Sequence, residues 1–272
     1  MSSNSVLGGP EDANGPDVAQ SPAPVTSAPP PENPPFGGMD VIQIGLLTFV
    51  VPVILAPFVV LVVQKLFYPA LTFNDVAQKP WVLLGPQFVW FAAVALFLVD
   101  YSKARFHQTL WQAVSWKWPR EGWPALIAIG IGTLALQILQ RVLPMPQTSP
   151  FDKFFQRPID GFAMAVLGIV FAPFMEELFF RGFLYPVVAR KWGVAAGVLG
   201  TAAVFGLIHY PEYKSWGPVL IIFLVGVILA LVRAQRHSVA ASFVVHGIYN
   251  GVPILVLMIA SHGFHNLPKL AH

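Results

Sequence analysis

Long apolar runs separated by short polar stretches make up most of this sequence. About 20 apolar residues in a helix are enough to cross the hydrocarbon core of a bilayer. The predicted spans cover residues 41–63, 81–99, 124–143, 162–188, 193–208, 217–232 and 239–260. The pattern therefore predicts an all-α, polytopic transmembrane helix bundle of seven or eight spans.

Polar and helix-breaking residues interrupt two of these runs. His246, Asn250 and Pro253 fall inside residues 239–260, so this run forms either one broken helix or two short helices. The choice between these alternatives leaves the total at seven or eight spans. Pro173 lies inside the fourth run and frees a backbone carbonyl one turn earlier, which predicts a bend at that point.

The composition supports a membrane protein. The chain is 56% hydrophobic and 11% charged, whereas soluble domains carry about 25% charged residues. The net charge of +3 is small and spread over the loops, so no nucleic-acid partner is expected. The chain has no cysteine, which excludes disulfides and thiolate metal sites.

The N-terminal part divides into a tail and a membrane region. Residues 1–38 are rich in proline, carry acids but no lysine or arginine, and are expected to be disordered. This tail lacks the basic region and apolar core of a signal peptide. Residues 39–160 are expected to hold the N-terminal transmembrane helices and an interfacial loop. That loop, residues 100–123, interleaves basic residues with tryptophans, which is typical of the headgroup layer.

Three charged residues lie inside the fourth apolar run. An ionised group near the bilayer centre costs several kcal/mol, so such residues usually face a protein interior and have a function. In a helix, Glu177 and Arg181 share one face and are expected to form a structural ion pair. Glu176 is turned about 100° away from that face and needs a partner from another segment.

Polar residues on two later runs offer such a partner. His209 ends the fifth run, and His246 and Asn250 lie four apart on one helical face. Taken alone, His209 is a capping residue and the other two are a packing pair. Taken together with Glu176, they favour one shared cavity, because each unsatisfied polar group in lipid costs several kcal/mol.

Such a cavity predicts hydrolysis. Glu176 would act as general base on a water shared with His209, while His246 and Asn250 would donate hydrogen bonds to the oxyanion. The sequence contains no His-Glu-x-x-His zinc motif and no Gly-x-Ser-x-Gly nucleophile elbow. A divalent metal held by Glu176, His209 and His246 stays open as an alternative, and no other cofactor is expected.

The polar residues fall into three spaced motifs. The motifs are Glu176-Glu177-x-x-x-Arg181, Phe205-x-x-x-His209 and His246-x-x-x-Asn250. Over residues 160–260 this order resembles the CPBP family of intramembrane proteases, also called the CAAX protease and bacteriocin-processing family. The resemblance implies a glutamic-type endopeptidase in an all-α membrane fold.

The resemblance also implies roles for the residues. Glu176 and His209 would activate water, the third motif would stabilise the oxyanion, and Glu177 and Arg181 would support the site. Residues 161–262 would be the catalytic core and residues 263–272 a short tail. The implied substrate is a membrane-associated protein or peptide, which is prenylated for eukaryotic members, and the implied location is a bacterial cytoplasmic membrane.

Two other functions fit the same residues. A proton-coupled transporter component would use Glu176 and the histidines as a proton relay. The sequence shows no inverted repeat, which counts against a transporter. A non-catalytic membrane binding or immunity protein would use the same cavity without hydrolysis. The sequence leaves the oligomeric state and the membrane orientation open.

Overall fold

Seven long apolar helices form the framework of the protein. The structure, a computed structural model, describes residues 33–147 and 149–266. The seven segments among them that are long and apolar enough to cross a membrane are α1 (Gly38–Phe67), α2 (Pro80–Phe106), α3 (Trp123–Arg141), α4 (Pro158–Trp192), α5 (Val194–Tyr213), α6 (Trp216–Arg236) and α7 (Val239–Ala260). The described residues contain no β-strand. The predicted all-α polytopic bundle is confirmed, and most of the N-terminal tail lies outside the described residues.

Two helix boundaries differ from the sequence predictions. The last apolar run is one continuous helix with Pro253 inside it, so the alternative of two short helices is wrong. Helix α2 continues through residues 100–106, which the sequence assigned to the interfacial loop. Lys103 and Arg105 lie in its last turn, where cationic side chains interact favourably with the helix dipole.

Widened π-helical turns precede prolines in two of the membrane helices. Proline lacks an N–H, so the turn before it loses a regular hydrogen bond and can widen. The π-helical stretches are Leu46–Val50 before Pro52, Leu167–Phe171 before Pro173 and Leu178–Leu184 before Pro186. Two of the three stretches lie in α4, one before Glu176 and Glu177 and the other containing Arg181. A π-helical turn thus directly precedes Pro173, where the sequence predicted a bend.

Small residues bring α5 close to its neighbours. A Cβ atom on Gly197 would lie 2.8 Å from the Cβ atom of Ala189 in α4. A Cβ atom on Gly226 of α6 would lie 3.1 Å from the ring of Phe205 and 3.2 Å from the Cα atom of Ala202. This close packing matches the small residues of the fifth apolar run. It also places Phe205 and His209 against the helices that carry the other polar residues.

The order of the helices determines which connections lie on the same side of the membrane. Residues 33–37 and the α3–α4 connection, residues 142–157, are separated by the crossings α1, α2 and α3. An odd number of crossings places them on opposite sides of the bilayer. Two further crossings, α4 and α5, bring the chain back to the side of the α3–α4 connection, where α5 ends beyond His209.

This topology predicts opposite labelling of two single-cysteine variants. Because the natural chain has no cysteine, Pro35→Cys and Ser149→Cys each carry one thiol, at exposed positions. In sealed vesicles of one orientation, a membrane-impermeant maleimide should label only one variant, and both should react after solubilisation in detergent. Labelling of both from the same side would contradict an odd number of crossings between them.

Candidate active site

The four residues predicted to be catalytic line one cavity. Its volume is about 660 Å³, within the range of small-molecule sites. Glu176 reaches it from α4, His209 from the turn within α5, and His246 and Asn250 from α7. Three sequence-distant segments therefore present their polar residues to one space, as the sequence predicted.

A buried ion pair lies next to the cavity wall. Arg181 Nη1 lies 2.9 Å from Glu177 Oε1, and both side chains are fully buried. Arg181 Nη2 donates a second hydrogen bond, 3.0 Å long, to the carbonyl of Gly226 in α6. The ion pair that the four-residue spacing predicts is present, and it also ties α4 to α6.

His246 bridges the two adjacent glutamates. Its Nδ1 lies 3.0 Å from Glu177 Oε1, and its Nε2 lies 3.6 Å from Glu176 Oε2. Because the Glu177 carboxylate accepts, Nδ1 is the donor in this hydrogen bond. Glu177 thus orients His246 as well as pairing with Arg181. The sequence reasoning missed this contact, since no local spacing relates residues that are 69 positions apart.

His209 presents one ring nitrogen to Glu176. Its Nδ1 donates to the carbonyl of Phe205 at 2.7 Å, which leaves Nε2 of the neutral ring as an acceptor. Nε2 lies 3.9 Å from Glu176 Oε1, too far for a direct hydrogen bond. Both side chains are slightly exposed, at 18% and 17%. The pair can therefore hold a water that contacts both atoms.

A backbone carbonyl of α4 orients Asn250. Asn250 Nδ2 donates to Gly168 O at 2.9 Å. This carbonyl is available because the N–H of Ala172 bonds Leu167 O, and Pro173 has no N–H. The carbonyl freed by Pro173 thus anchors the amide, whose second N–H stays available for another acceptor.

The cavity wall includes polar residues that the sequence reasoning did not select. Tyr249 precedes Asn250, and its hydroxyl accepts from Gln137 Nε2 of α3 at 2.6 Å. Glu212 and Tyr213 extend the wall beyond His209. A glutamine inside the third apolar run was the available signal for Gln137. Glu212 gave no such signal, because a charged residue beyond the end of a span is common.

The acids and imidazoles do not form a ready-made metal site. In the described part of the chain, no three histidine or acidic side chains are grouped closely enough to hold a metal ion. Glu176, His209 and His246 approach one another only in the pairs given above.

A model of a known protein family matches part of the chain. Residues 158–252 match the family model described as "Type II CAAX prenyl endopeptidase Rce1-like". The matched segment begins at the first residue of α4 and includes all three motifs. Residues 158–252 are thus similar to an Rce1-like CAAX protease domain. No curated protein and no solved structure matched the chain. The Rce1-like domain supports protease activity, and the seven apolar helices make the protein an integral membrane protein.

Helices outside the Rce1-like domain complete its cavity. Leu84 and Gln87 of α2 and Gln137 of α3 line the cavity together with residues of the three motifs. The α3–α4 connection adds Phe151 and Phe154. The N-terminal helices are therefore part of the site's wall, and they distinguish the site of this protein from what the matched segment alone would form.

Proposed function

We propose that this protein is an intramembrane endopeptidase that hydrolyses peptide bonds of membrane-associated proteins or peptides. The observation that carries the proposal is the opposed pair of Glu176 and His209. Their facing atoms are 3.9 Å apart on the wall of the cavity, which suits a bridging water. The Rce1-like match independently supports a protease.

In the proposed reaction, water adds to the carbonyl carbon of the scissile peptide bond. Glu176 takes one proton from this water as general base, and His209 Nε2 accepts the second hydrogen bond and aligns it. The new C–O bond converts the carbonyl into a tetrahedral oxyanion. Glu176 then returns its proton to the departing amine nitrogen as the C–N bond breaks.

The oxyanion is stabilised by Asn250 and His246 in this proposal. Asn250 offers the N–H that Gly168 does not use. His246 Nδ1 is already committed to Glu177, so His246 can donate from Nε2 only with protons on both ring nitrogens. Glu177 therefore supports catalysis by setting the direction of the His246 ring, and Arg181 supports Glu177.

The substrate and location are further parts of the proposal. The name of the matched family points to prenylated proteins with a C-terminal CAAX sequence as one substrate class. Peptide substrates of bacterial members of the wider family are the other class. A bacterial cytoplasmic membrane is the proposed location, and residues 161–262 are the proposed catalytic core, completed by helices from residues 39–160.

The test compares peptide termini in cell membranes. Cells would express either the wild-type chain or Glu176→Gln at equal abundance, and new protein termini would be identified by mass spectrometry. Termini that appear only with the wild type would establish proteolysis and reveal the cleaved sequence. If the termini are identical and Glu176→Gln also restores the phenotype of a deletion strain, the protein is a non-catalytic binding protein and the proposal is wrong.

A further inference from the structure

The charged residues that line the cavity all carry negative charge. Asp152 from the α3–α4 connection and Glu212 from the end of α5 join Glu176 on the wall. No lysine or arginine is found among the described residues that line it. A low-dielectric cleft lined by one sign of charge focuses its field and attracts ligands of the opposite sign.

Glu212 is the acid in this group without a structural task. Among the described residues, its carboxylate has no hydrogen bond or ion pair, although it interacts electrostatically with His209 and Glu176. Asp152, in contrast, already accepts a 3.0 Å hydrogen bond from the N–H of Ser149. The carboxylate of Glu212 is thus free to interact with a bound molecule.

The nearby lysines and arginine lie outside the cavity lining. Lys153 directs its ammonium to Gln78 Oε1, 3.2 Å away, and Arg157 forms an ion pair with Asp160 at 2.6 Å. Neither Lys153 nor Arg157 lines the cavity, and Lys214, two residues beyond Glu212, does not line it either. The described cavity lining therefore holds acids, including one in the α3–α4 connection, and no lysine or arginine.

We infer that the cavity binds a positively charged segment of its substrate and that Glu212 is the residue that determines this specificity. This inference rests on the proposed endopeptidase function and names its substrate class. The chemical feature recognised is a lysine or arginine side chain close to the scissile bond.

The experiment measures binding of three matched reporter peptides to the full chain in detergent. The peptides share one apolar sequence and differ at a single residue, which is Lys, Gln or Glu. Binding is measured in the Glu176→Gln background, so that cleavage does not consume the peptide, and again after Glu212→Gln is added. Because both proteins carry the first change, the difference between them reports Glu212 alone.

Glu212→Gln should weaken binding of the Lys peptide by about fivefold, leave the Gln peptide within about twofold, and strengthen binding of the Glu peptide. Glu212→Lys should reverse the preference, so that the Glu peptide binds better than the Lys peptide. A purely structural role for Glu212 would weaken all three peptides alike. Glu121→Gln, at an exposed position outside the cavity lining, is the matched control and should change nothing.

The outcomes separate this inference from the proposed function. Equal affinity for all three peptides, or a preference for the Glu peptide, would overturn the inference even if the wild type cleaves them. If the charge preference depends on Glu212 but the wild type cleaves neither these peptides nor any protein in the comparison of termini, the charge preference of the cavity stands and the endopeptidase assignment is contradicted.

Discussion

Glu176→Gln should lower the rate of peptide-bond cleavage by about 10²- to 10⁴-fold while the protein stays folded. The amide has nearly the shape of the carboxylate, but it cannot take a proton from water. The change also leaves the buried Glu177–Arg181 pair intact. The measurement is the initial cleavage rate of the purified full chain on a substrate found by the comparison of termini, together with its thermal unfolding.

The control for this loss is another glutamate-to-glutamine change. Glu121 lies on an exposed loop and does not line the cavity, so Glu121→Gln should keep the wild-type rate. An unfolding temperature close to that of the wild type shows that Glu176→Gln acts on chemistry. Full activity of a folded Glu176→Gln protein would exclude Glu176 as the general base.

Glu177→Gln and Arg181→Ala should instead reduce the amount of folded protein. Both side chains are fully buried, and removing one partner of a buried ion pair costs about 3–5 kcal/mol because the other charge stays unpaired. Arg181→Ala also removes the hydrogen bond to the Gly226 carbonyl, which connects α4 to α6. The measurement is the yield of monodisperse protein after extraction from the membrane, and its unfolding temperature.

Exposed changes of the same type serve as controls. Arg120 and Glu121 are exposed, so Arg120→Ala and Glu121→Gln should leave the yield and the unfolding temperature unchanged. Any Glu177→Gln protein that folds should still cleave more slowly than the wild type, because His246 loses its carboxylate partner. Wild-type yield and unfolding temperature for both core variants would contradict a stabilising ion pair.

The local features of the site were predictable from spacing along the chain. A helix repeats every 3.6 residues, so residues four apart face the same way. This period predicted the contact of Glu177 with Arg181, and it placed His246 and Asn250 side by side on α7. The apolar runs predicted the helices, because each run is long enough to cross a bilayer.

The different surroundings of the two adjacent glutamates were predictable in the same way. Adjacent residues of a helix point in directions about 100° apart, so only one of them can pair with Arg181. The structure places Glu176 on the cavity wall and buries Glu177 beside Arg181. The sequence could not name the side chain that connects them, which is His246.

Contacts between distant segments were decided by the packing of the helices. His246 reaches Glu177, and Asn250 reaches the Gly168 carbonyl, across 69 and 82 positions of the chain. Helix period determines which face a residue occupies, but the neighbour of that face depends on how the whole bundle packs.

By itself, the sequence determined the membrane helices, the paired charges within α4 and the set of polar residues that needed one another. The tertiary structure alone decided that His246 spans both glutamates, that α2 and α3 close the cavity, and that Glu212 adds its charge to the wall. The physical reason is the range of the interactions. Apolarity and helical period act within one segment, whereas a cavity exists only where several packed segments leave space between them.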